Sequence, residues 1–432
     1  MHLVPMDGQE IELRALAPDA VVLNYLRPGN DGLARQLTEA GTSVFVLDTE
    51  GGVLASFERY AQVLSKDAVT RAGVAAYLAW GHALADHAVA EGWFRPDQVV
   101  VTGAPRFDFY VAPWRGAALA TSSPLEGQSG PLVLVNGNFP VANPRFQTPA
   151  EEARMLVRRF GFEAAEVAAW QRVQTETMRG LTDLTNRAAD HFPGVQFVYR
   201  PHPFERVESY RALLAGRPNV HLVKAGSVDG WILKSCAVVQ RSCTTAIEAA
   251  LAGVPALSPI WIPTPVEMEA AERVSIACAS PEALEERLEA AVAGTLESSP
   301  EVGAALAETV AHWFHRVDGK AHRRVADVVL DRTSAVPRRD RLRQYRGLGA
   351  TGFRTGLKRT AKTLLPPGVR RLRRGRGEAM WGASEKEFDA RQVAATADAV
   401  TTAAGWMAVK VRGARRDYGR PIPFGRAVTV AP

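Results

Sequence analysis

A histidine held between two prolines is the feature of this sequence that most directly suggests chemistry. His202 stands between Pro201 and Pro203 in the stretch YRPHPFE, after an apolar run that predicts a buried strand. Prolines fix φ and keep the preceding residue extended, so the ring is aimed rather than mobile. Ligands of parallel α/β sheets bind beyond the carboxyl ends of strands, where this ring can donate a hydrogen bond to a phosphate or supply its proton.

The neighbours of this histidine extend the same candidate site. Arg200 offers a guanidinium fork for an anion, Glu205 offers an acceptor for a ribose or a base, and Pro203 belongs to the same donor-binding segment. The alternative is a rigid turn that carries a surface histidine.

A second candidate is the hydroxyl-rich stretch RSCTT at 241–245, between a predicted strand and a predicted helix. Thr245 and Glu248 have the spacing of a capping box. A helix N-terminus rich in hydroxyl groups is also an anion site. The two interpretations are compatible, because Thr245 can cap the helix while Ser242 and Thr244 bind phosphate. We expect Glu248 to belong to the same donor site.

A third candidate is the acidic pair in DTEGG at 48–52. Side chains two apart on a strand face the same way, so we expect Asp48 and Glu50 to be presented together. Neighbouring carboxylates push their pKa values apart, which suits acid–base catalysis, and Gly51 allows a ligand to approach closely. The alternative is a polar strand end with a turn. No third ligand lies nearby in sequence, so we predict no metal.

Polar residues also follow other predicted strands. We assign the first four of these residues to substrate binding and the last two to donor binding: Asn24, Arg27, Arg106, Asp108, Asn136 and Asn138.

Short apolar runs alternate with helical patterns along most of the chain, which predicts parallel sheets covered by helices. The expected strands are 20–26, 43–48, 75–81 and 98–103 in a first series, then 131–138, 195–200, 219–226, 237–242 and 255–259 in a second. We predict an α/β protein with two Rossmann-like domains, a cleft between them and a linker at 120–131. The expected domains are 1–125 on the acceptor side, 126–334 for nucleotide binding, and a basic helical extension at 335–432.

Composition supports a globular body with a basic appendage. The chain has 432 residues, 47% of them hydrophobic, and a net charge of +6. Arginine accumulates after residue 335, and 335–376 combines one apolar face with a basic face. That segment reads either as a packing helix with a solvated face or as a contact with an anionic membrane surface, where each basic group contributes about 1 kcal/mol. No recognition pattern for nucleic acid accompanies the charge.

Three cysteines without metal-ligand spacing argue against a disulfide framework and a zinc site. We recognise no signal peptide and no apolar run of membrane-spanning length. We therefore expect a cytoplasmic protein, with peripheral attachment to the inner face of the membrane as an option.

Seven motifs occur in a fixed order: NYLRPGN, VFVLDTEGG, YLAWG, VTGAPRFD, VNGNF, YRPHPFE and RSCTTAIEAALAGVP. Together they resemble the bacterial surface carbohydrate biosynthesis protein family, which is similar to GT-B glycosyltransferases, over roughly residues 20 to 280. The resemblance implies a GT-B-like fold and a metal-independent glycosyltransferase without a cofactor. Relatives carry an extra βα unit before NYLRP, so we expect the first sheet to lack a strand or the true start to lie upstream.

Three of these motifs are also similar to those of bacterial sialyl-, polysialyl- and Kdo transferases, which use CMP-activated 2-keto sugar acids. This implies that Asp48 or Glu50 is the catalytic carboxylate and that His202 contacts the CMP phosphate and helps it leave. It also implies that the loop hydroxyls hold that phosphate: Ser242, Thr244 and Thr245. Cys243 departs from the pattern, because a second Ser or Thr is often found there.

The sequence thus predicts transfer of a sugar from a nucleotide donor, with a CMP-activated 2-keto sugar acid favoured, to a glycan or lipid-linked glycan of a surface polysaccharide. One alternative is a CDP-glycerol glycerophosphotransferase or a UDP-sugar enzyme of the same fold. Another is a non-catalytic, membrane-associated assembly protein.

Overall fold

The computed structural model describes residues 1–4, 12–13, 16–53, 56–121, 125, 129–334, 336–337, 340, 390–413 and 428–431. They fall into two compact units. The first unit comprises Met1–Gly52, Val63–Pro105 and Lys320–Pro432, and the second comprises Val53–Gln62 and Arg106–Gly319. The domain limits at 125 and 334, and the cleft, stay predictions. The expected linker at 120–131 lies partly outside the described residues.

The strands of the described residues are β1 His2–Leu3, β2 Ala20–Leu23, β3 Ser43–Val46, β4 Ala76–Ala79, β5 Val99–Val101, β6 Leu132–Asn136, β7 Gln196–Arg200, β8 Val220–Leu222, β9 Ala237–Val239, β10 Ala256–Pro259, β11 Ile276–Cys278, β12 Lys410–Gly413 and β13 Val428–Ala431. The α-helices are α1 Asp31–Glu39, α2 Phe57–Val63, α3 Ala68–Ala72, α4 His82–Ala90, α5 Trp114–Thr121, α6 Pro149–Phe160, α7 Ala164–His191, α8 Glu208–Leu213, α9 Val228–Lys234, α10 Thr245–Ala252, α11 Glu269–Arg273, α12 Pro281–Val292, α13 Pro300–Thr309, α14 Ala321–Asp331 and α15 Ala390–Ala404. Short 3₁₀ helices span Pro96–Gln98 and Pro105–Tyr110, and a π-helical turn spans Val310–Phe314.

A four-stranded parallel sheet, in the order β2-β3-β4-β5, forms the core of the first unit. Every residue of β3 and β4 is buried, as expected for parallel strands that are covered on their faces. Phe45, Ala76 and Leu78 make an apolar cluster against which Val325 and Val329 of α14 pack. The helix α14 therefore covers a sheet that lies more than 200 residues earlier in the chain.

A six-stranded parallel sheet, in the order β11-β10-β9-β6-β7-β8, forms the core of the second unit. The chain builds β6, β7 and β8 outward on one side and then returns to lay β9, β10 and β11 on the other. This is the doubly wound order, and the direction of winding changes between β6 and β9. The predicted α/β fold with parallel sheets is thereby confirmed.

The apolar residues between positions 151 and 192 have helical spacing throughout, but the structure divides this segment into two helices. Thr148 and Glu151 form a reciprocal capping box that starts α6, and Gly161 ends it in the left-handed conformation at φ 74°. The second helix, α7, then buries Leu181 and Leu184 against the sheet. Gly161, with its positive φ, therefore separates α6 from α7, which the apolar periodicity alone would predict as one helix.

The extension at 335–432, predicted to be helical, contains the helix α15. The antiparallel sheet β1-β13-β12 was not predicted, because its strands are short and pair across almost the whole chain, for example His2 with Thr429. Apart from residues 336, 337 and 340, the basic segment 335–376 and its proposed membrane contact lie outside the described residues. In the described part of the chain, no helix is both long and apolar enough to cross a membrane.

Candidate functional site

The turn that follows β7 fixes the orientation of the His202 ring. The backbone N–H of His202 donates to Oε1 of Glu205 at 2.8 Å, and the N–H of Glu205 donates back to the carbonyl of His202 at 2.9 Å. The N–H of Phe204 donates to Nδ1 of the imidazole at 3.2 Å. Because Nδ1 accepts a hydrogen bond, the neutral ring carries its proton on Nε2. The turn thus presents Nε2–H as a donor.

The surroundings keep this imidazole neutral. Burial and the nearby ammonium of Lys224 lower the pKa of His202 to about 4. At pH 7 the free protein therefore offers a hydrogen-bond donor rather than an imidazolium. Both roles expected from the sequence, donation to a phosphate oxygen and supply of a proton, stay predictions.

Glu205 lies in the interior of the turn. Its Oε1 accepts the N–H of His202, and its Oε2 accepts the hydroxyl of Tyr210. Burial raises the pKa of this carboxyl group. The side chain that the sequence suggested for a ribose or a base thus holds the turn together.

Arg200 braces the loop after β8. Its guanidinium donates to the carbonyl of Ala225 at 2.7 Å and to that of Gly226. Burial lowers its pKa. The exposed Pro203 contributes its carbonyl, which accepts from Nη1 of Arg145 at 3.4 Å. Both residues therefore shape the surroundings of His202.

Two unsatisfied donors mark the point where the sheet changes its winding. Asn136 ends β6, beside the end of β9, and its buried Nδ2 has no hydrogen-bond partner among the described residues. Oγ1 of Thr245, at the start of α10, is also buried without such a partner. Leaving a buried donor unpaired costs about 1–3 kcal/mol, so a water molecule or a ligand that accepts from these groups would stabilise the site. The half-buried Asn138 lies in the loop that follows β6.

The loop before α10 is strained and tied down. Ser242 has φ 51°, in the left-handed region that few residues other than glycine adopt. Its N–H and its hydroxyl donate to Oε1 of Glu272 at 2.8 and 2.6 Å. The same carboxylate accepts from Arg241 at 2.7 Å and from Ser258 at 2.6 Å. The hydroxyl of Ser242 is therefore engaged inside the protein.

The capping box expected at the start of α10 is not formed, so that prediction is wrong. The N-cap is the half-buried Thr244, whose side chain makes no capping bond. The carboxylate of Glu248 instead accepts from Arg106 at 2.5 Å and from the hydroxyl of Tyr110 at 2.7 Å. The packing partner of Glu248 comes from more than 130 residues away and overrides the local pattern.

This contact joins two residues that the sequence assigned to different sites. Glu248 is 1% exposed, whereas Arg106 is 48% exposed and keeps part of its guanidinium at the surface. Asp108 lies buried on the same 3₁₀ helix. Burial, together with Glu248, raises the pKa of Asp229, so a second carboxyl group belongs to this cluster.

The acidic pair lies in the first unit, in a turn rather than on a strand. Since β3 ends at Val46, Asp48 and Glu50 do not alternate as strand residues. Asp48 is 1% exposed and binds Arg27 through both oxygens, at 2.6 and 3.0 Å. It also accepts the N–H of Glu50 at 2.9 Å, while the Glu50 side chain is exposed. The expectation that both carboxylates face the same way is therefore wrong.

The rest of this turn is closely packed. The carbonyl of Asn24 accepts the N–H of Thr49 at 2.9 Å, and the N–H of Gly51 donates to the carbonyl of Asp48 at 3.1 Å. A side chain at Gly52 would overlap the six-membered ring of Trp80. The glycines thus serve close packing of the turn itself.

We expect Gly52→Ala to lower the free energy of unfolding by about 1–3 kcal/mol, because the added methyl group must displace a buried indole. Urea unfolding measures this. The matched control is Gly32→Ala in α1, where an added Cβ meets nothing, and it should raise stability by about 0.5–1 kcal/mol. Equal effects of the two substitutions would contradict the proposed packing.

The comparisons with known proteins concern structure alone, since no protein-family model and no curated protein sequence matches this chain. The chain is similar in structure to UDP-N-acetylglucosamine 2-epimerases. For the putative enzyme from Listeria monocytogenes the TM-score is 0.47 at 16% identity, covering 77% of this chain and 79% of that one. For the enzyme from Neisseria meningitidis bound to UDP-GlcNAc it is 0.43 at 14% identity, covering 76% and 81%.

A third similar structure is the wall teichoic acid polymerase TagF, an H444N variant soaked with CDPG. Its TM-score is 0.40 at 11% identity, covering 75% of this chain and 93% of that one. The fold assignment above rests on the strand order of this chain itself.

The described residues contain no group of three or more His, Cys, Asp or Glu side chains placed to hold a metal ion. Cys243 and Cys278 are buried thiols and Cys236 is half-buried, and burial raises the pKa of each of the three.

The structure therefore joins the predicted residues in three clusters: His202 with Glu205, Arg106 with Glu248, and Arg27 with Asp48. Sequence reasoning missed the partners Tyr110, Arg145, Lys224 and Glu272. Lys224 could have been found, since it follows β8 as the other candidates follow their strands.

Proposed function

We propose that this protein is a GT-B glycosyltransferase of surface polysaccharide biosynthesis that uses a nucleotide donor. The observation that carries the proposal is the buried Nδ2 of Asn136, at the winding change of the second sheet, for which the described part of the chain offers no partner. Ligands of doubly wound sheets bind at this point. The favoured donor is a CMP-activated 2-keto sugar acid, as the resemblance of the motifs implies, and the acceptor is a glycan.

In this proposal the second unit holds the phosphate of the donor. Nε2–H of His202 donates to a phosphate oxygen, and the hydroxyl of Thr245 adds a further donor. Negative charge builds up on this phosphate as the bond to the sugar breaks. Donors that are already fixed in place stabilise that charge without reorganising.

The base in this proposal is a carboxylate of the acidic turn after β3. Glu50 is the exposed carboxylate of the acidic turn and would deprotonate the acceptor hydroxyl. Asp48 is engaged by Arg27 and by the N–H of Glu50, so it positions the turn. The two carboxylates thus take different roles, because Asp48 is buried and Glu50 is exposed.

A melting scan with CMP, CDP, UDP and GDP tests the proposal. A ligand at 100 times its Kd stabilises the folded state by about 2.7 kcal/mol, which shifts Tm by several degrees. We expect CMP to raise Tm most. A preference for CDP or UDP would point to a glycerophosphotransferase or a UDP-sugar enzyme. If no nucleotide raises Tm, the proposal is wrong, and binding to anionic vesicles should then be tested.

A further inference from the structure

Two cationic side chains contact the turn that carries His202. The ammonium of Lys224 donates to the carbonyl of Glu205 at 3.3 Å, and Nη1 of Arg145 donates to that of Pro203 at 3.4 Å. Both side chains are half-buried. Each cation is thus held by a carbonyl of the turn that orients the imidazole.

The loop that carries Arg145 is fixed in place. The backbone N–H of Arg145 donates to the carbonyl of Phe204 at 2.9 Å, and Pro144 pairs with Glu205 as an antiparallel bridge. Earlier in the loop, the N–H groups of residues 141 and 142 both donate to Oε1 of Gln174 at 3.0 Å. The guanidinium of Arg145 therefore starts from a backbone that is already positioned.

The electrostatics of the cluster favour an anion. Burial and Arg145 lower the pKa of Lys224 to about 8, although the carboxylates of Glu205 and Glu208 act in the opposite direction. Lys224 in turn lowers the pKa of His202. Among the described residues, no carboxylate lies within ion-pair distance of the Lys224 ammonium. Like charges that are held together and desolvated are stabilised when an anion binds between them.

We propose that Lys224 and Arg145 form a subsite for a second anionic group of the donor, beside the phosphate that meets His202. This inference rests on the proposed function. The second group would be either the β-phosphate of a nucleoside diphosphate or the carboxylate of a sugar acid that is linked to CMP. A nucleoside monophosphate alone would leave the subsite empty.

Dissociation constants for CMP, CDP and CMP-N-acetylneuraminic acid, measured by calorimetry on the full chain, test this subsite. We expect the wild type to bind CDP or the sugar-acid donor about 10–100-fold more tightly than CMP. Lys224→Met should abolish this gain and change the affinity for CMP itself only a little. A gain for CDP identifies a β-phosphate, and a gain for the sugar-acid donor identifies a carboxylate. Lys234→Met, which removes an exposed lysine at the end of α9, is the matched control.

The outcomes separate the two proposals. The subsite is wrong, and the proposed function stands, if CMP binds but neither CDP nor the sugar-acid donor binds more tightly. The same conclusion follows if one of them does bind more tightly but Lys224→Met keeps that gain. If no nucleotide binds the wild type, both are wrong. If Lys234→Met has the same effect as Lys224→Met, the gain reflects net charge only, which also overturns the subsite.

The pH dependence offers a second readout. Lys224 is charged below its pKa of about 8, so the gain from the second anion should be present at pH 7 and decline as the pH rises through and beyond that value. A bound anion raises this pKa and moves the decline upward. His202 is neutral over this range, and Arg145 stays charged. In Lys224→Met the affinity for the preferred second-anion ligand should not decline between pH 7 and about pH 9.

Discussion

Replacing His202 with asparagine is expected to weaken CMP binding by about 10–100-fold and to leave the turn intact. The Oδ1 of asparagine can take the position of Nδ1 and accept the N–H of Phe204, so the turn keeps that hydrogen bond. The variant lacks the Nε2–H donor, and a hydrogen bond to a charged group contributes about 1.5–3 kcal/mol. Calorimetric titration with CMP measures the loss, and urea unfolding checks the fold.

Glutamine at the same position is the complementary variant. Its amide N–H can reach the position of Nε2, whereas the acceptor for the N–H of Phe204 is lost. We therefore expect His202→Gln to recover most of the affinity and to lose some stability. If both variants bind CMP as tightly as the wild type, His202 does not contact the phosphate.

Glu50→Gln is expected to lower turnover by about 10²–10⁴-fold, the usual contribution of a general base. The side chain is exposed, and its backbone N–H still donates to Asp48, so the free energy of unfolding should change by less than about 0.5 kcal/mol. Release of the nucleoside phosphate from the donor that the melting scan selects, in the presence of a glycan acceptor, measures the turnover.

Asp48→Asn separates a positioning role from a catalytic one. Removing the charge of Asp48 leaves the partly buried guanidinium of Arg27 without its bidentate partner, and breaking a buried pair costs about 3–5 kcal/mol. We therefore expect a large loss of stability in this variant and a small one in Glu50→Gln. Full turnover in both variants would remove the acidic turn from the mechanism.

The sequence alone predicted the parallel strands and the stiff turn at His202. Continuous apolar runs predicted the parallel strands, since strands that are covered on their faces cannot alternate with polar residues. Pro201 and Pro203 predicted a stiff turn at His202, because proline acts through its own covalent geometry and needs no distant partner. These properties are local, so they can be read from neighbouring residues.

Only the tertiary structure decided which polar groups are occupied and which are left for a ligand. Glu248 was expected to cap its own helix, yet it binds Arg106 and Tyr110. A buried carboxylate must be hydrogen-bonded, and these two side chains are the donors that the fold places next to it. Asp48 and Glu50 were expected to act together, but a turn after β3 buries one and exposes the other.

The tertiary structure alone also determined the surroundings of Lys224 and Asn136 in the candidate donor site. Lys224 contacts the His202 turn from the loop after β8, and Asn136 lies beside the end of β9 with no partner for its Nδ2 among the described residues. Such contacts cannot be predicted from the spacing of residues along the chain. Hydrogen-bond satisfaction and desolvation are properties of the packed interior, so the sequence indicated candidate residues and the fold determined which of their atoms are already engaged.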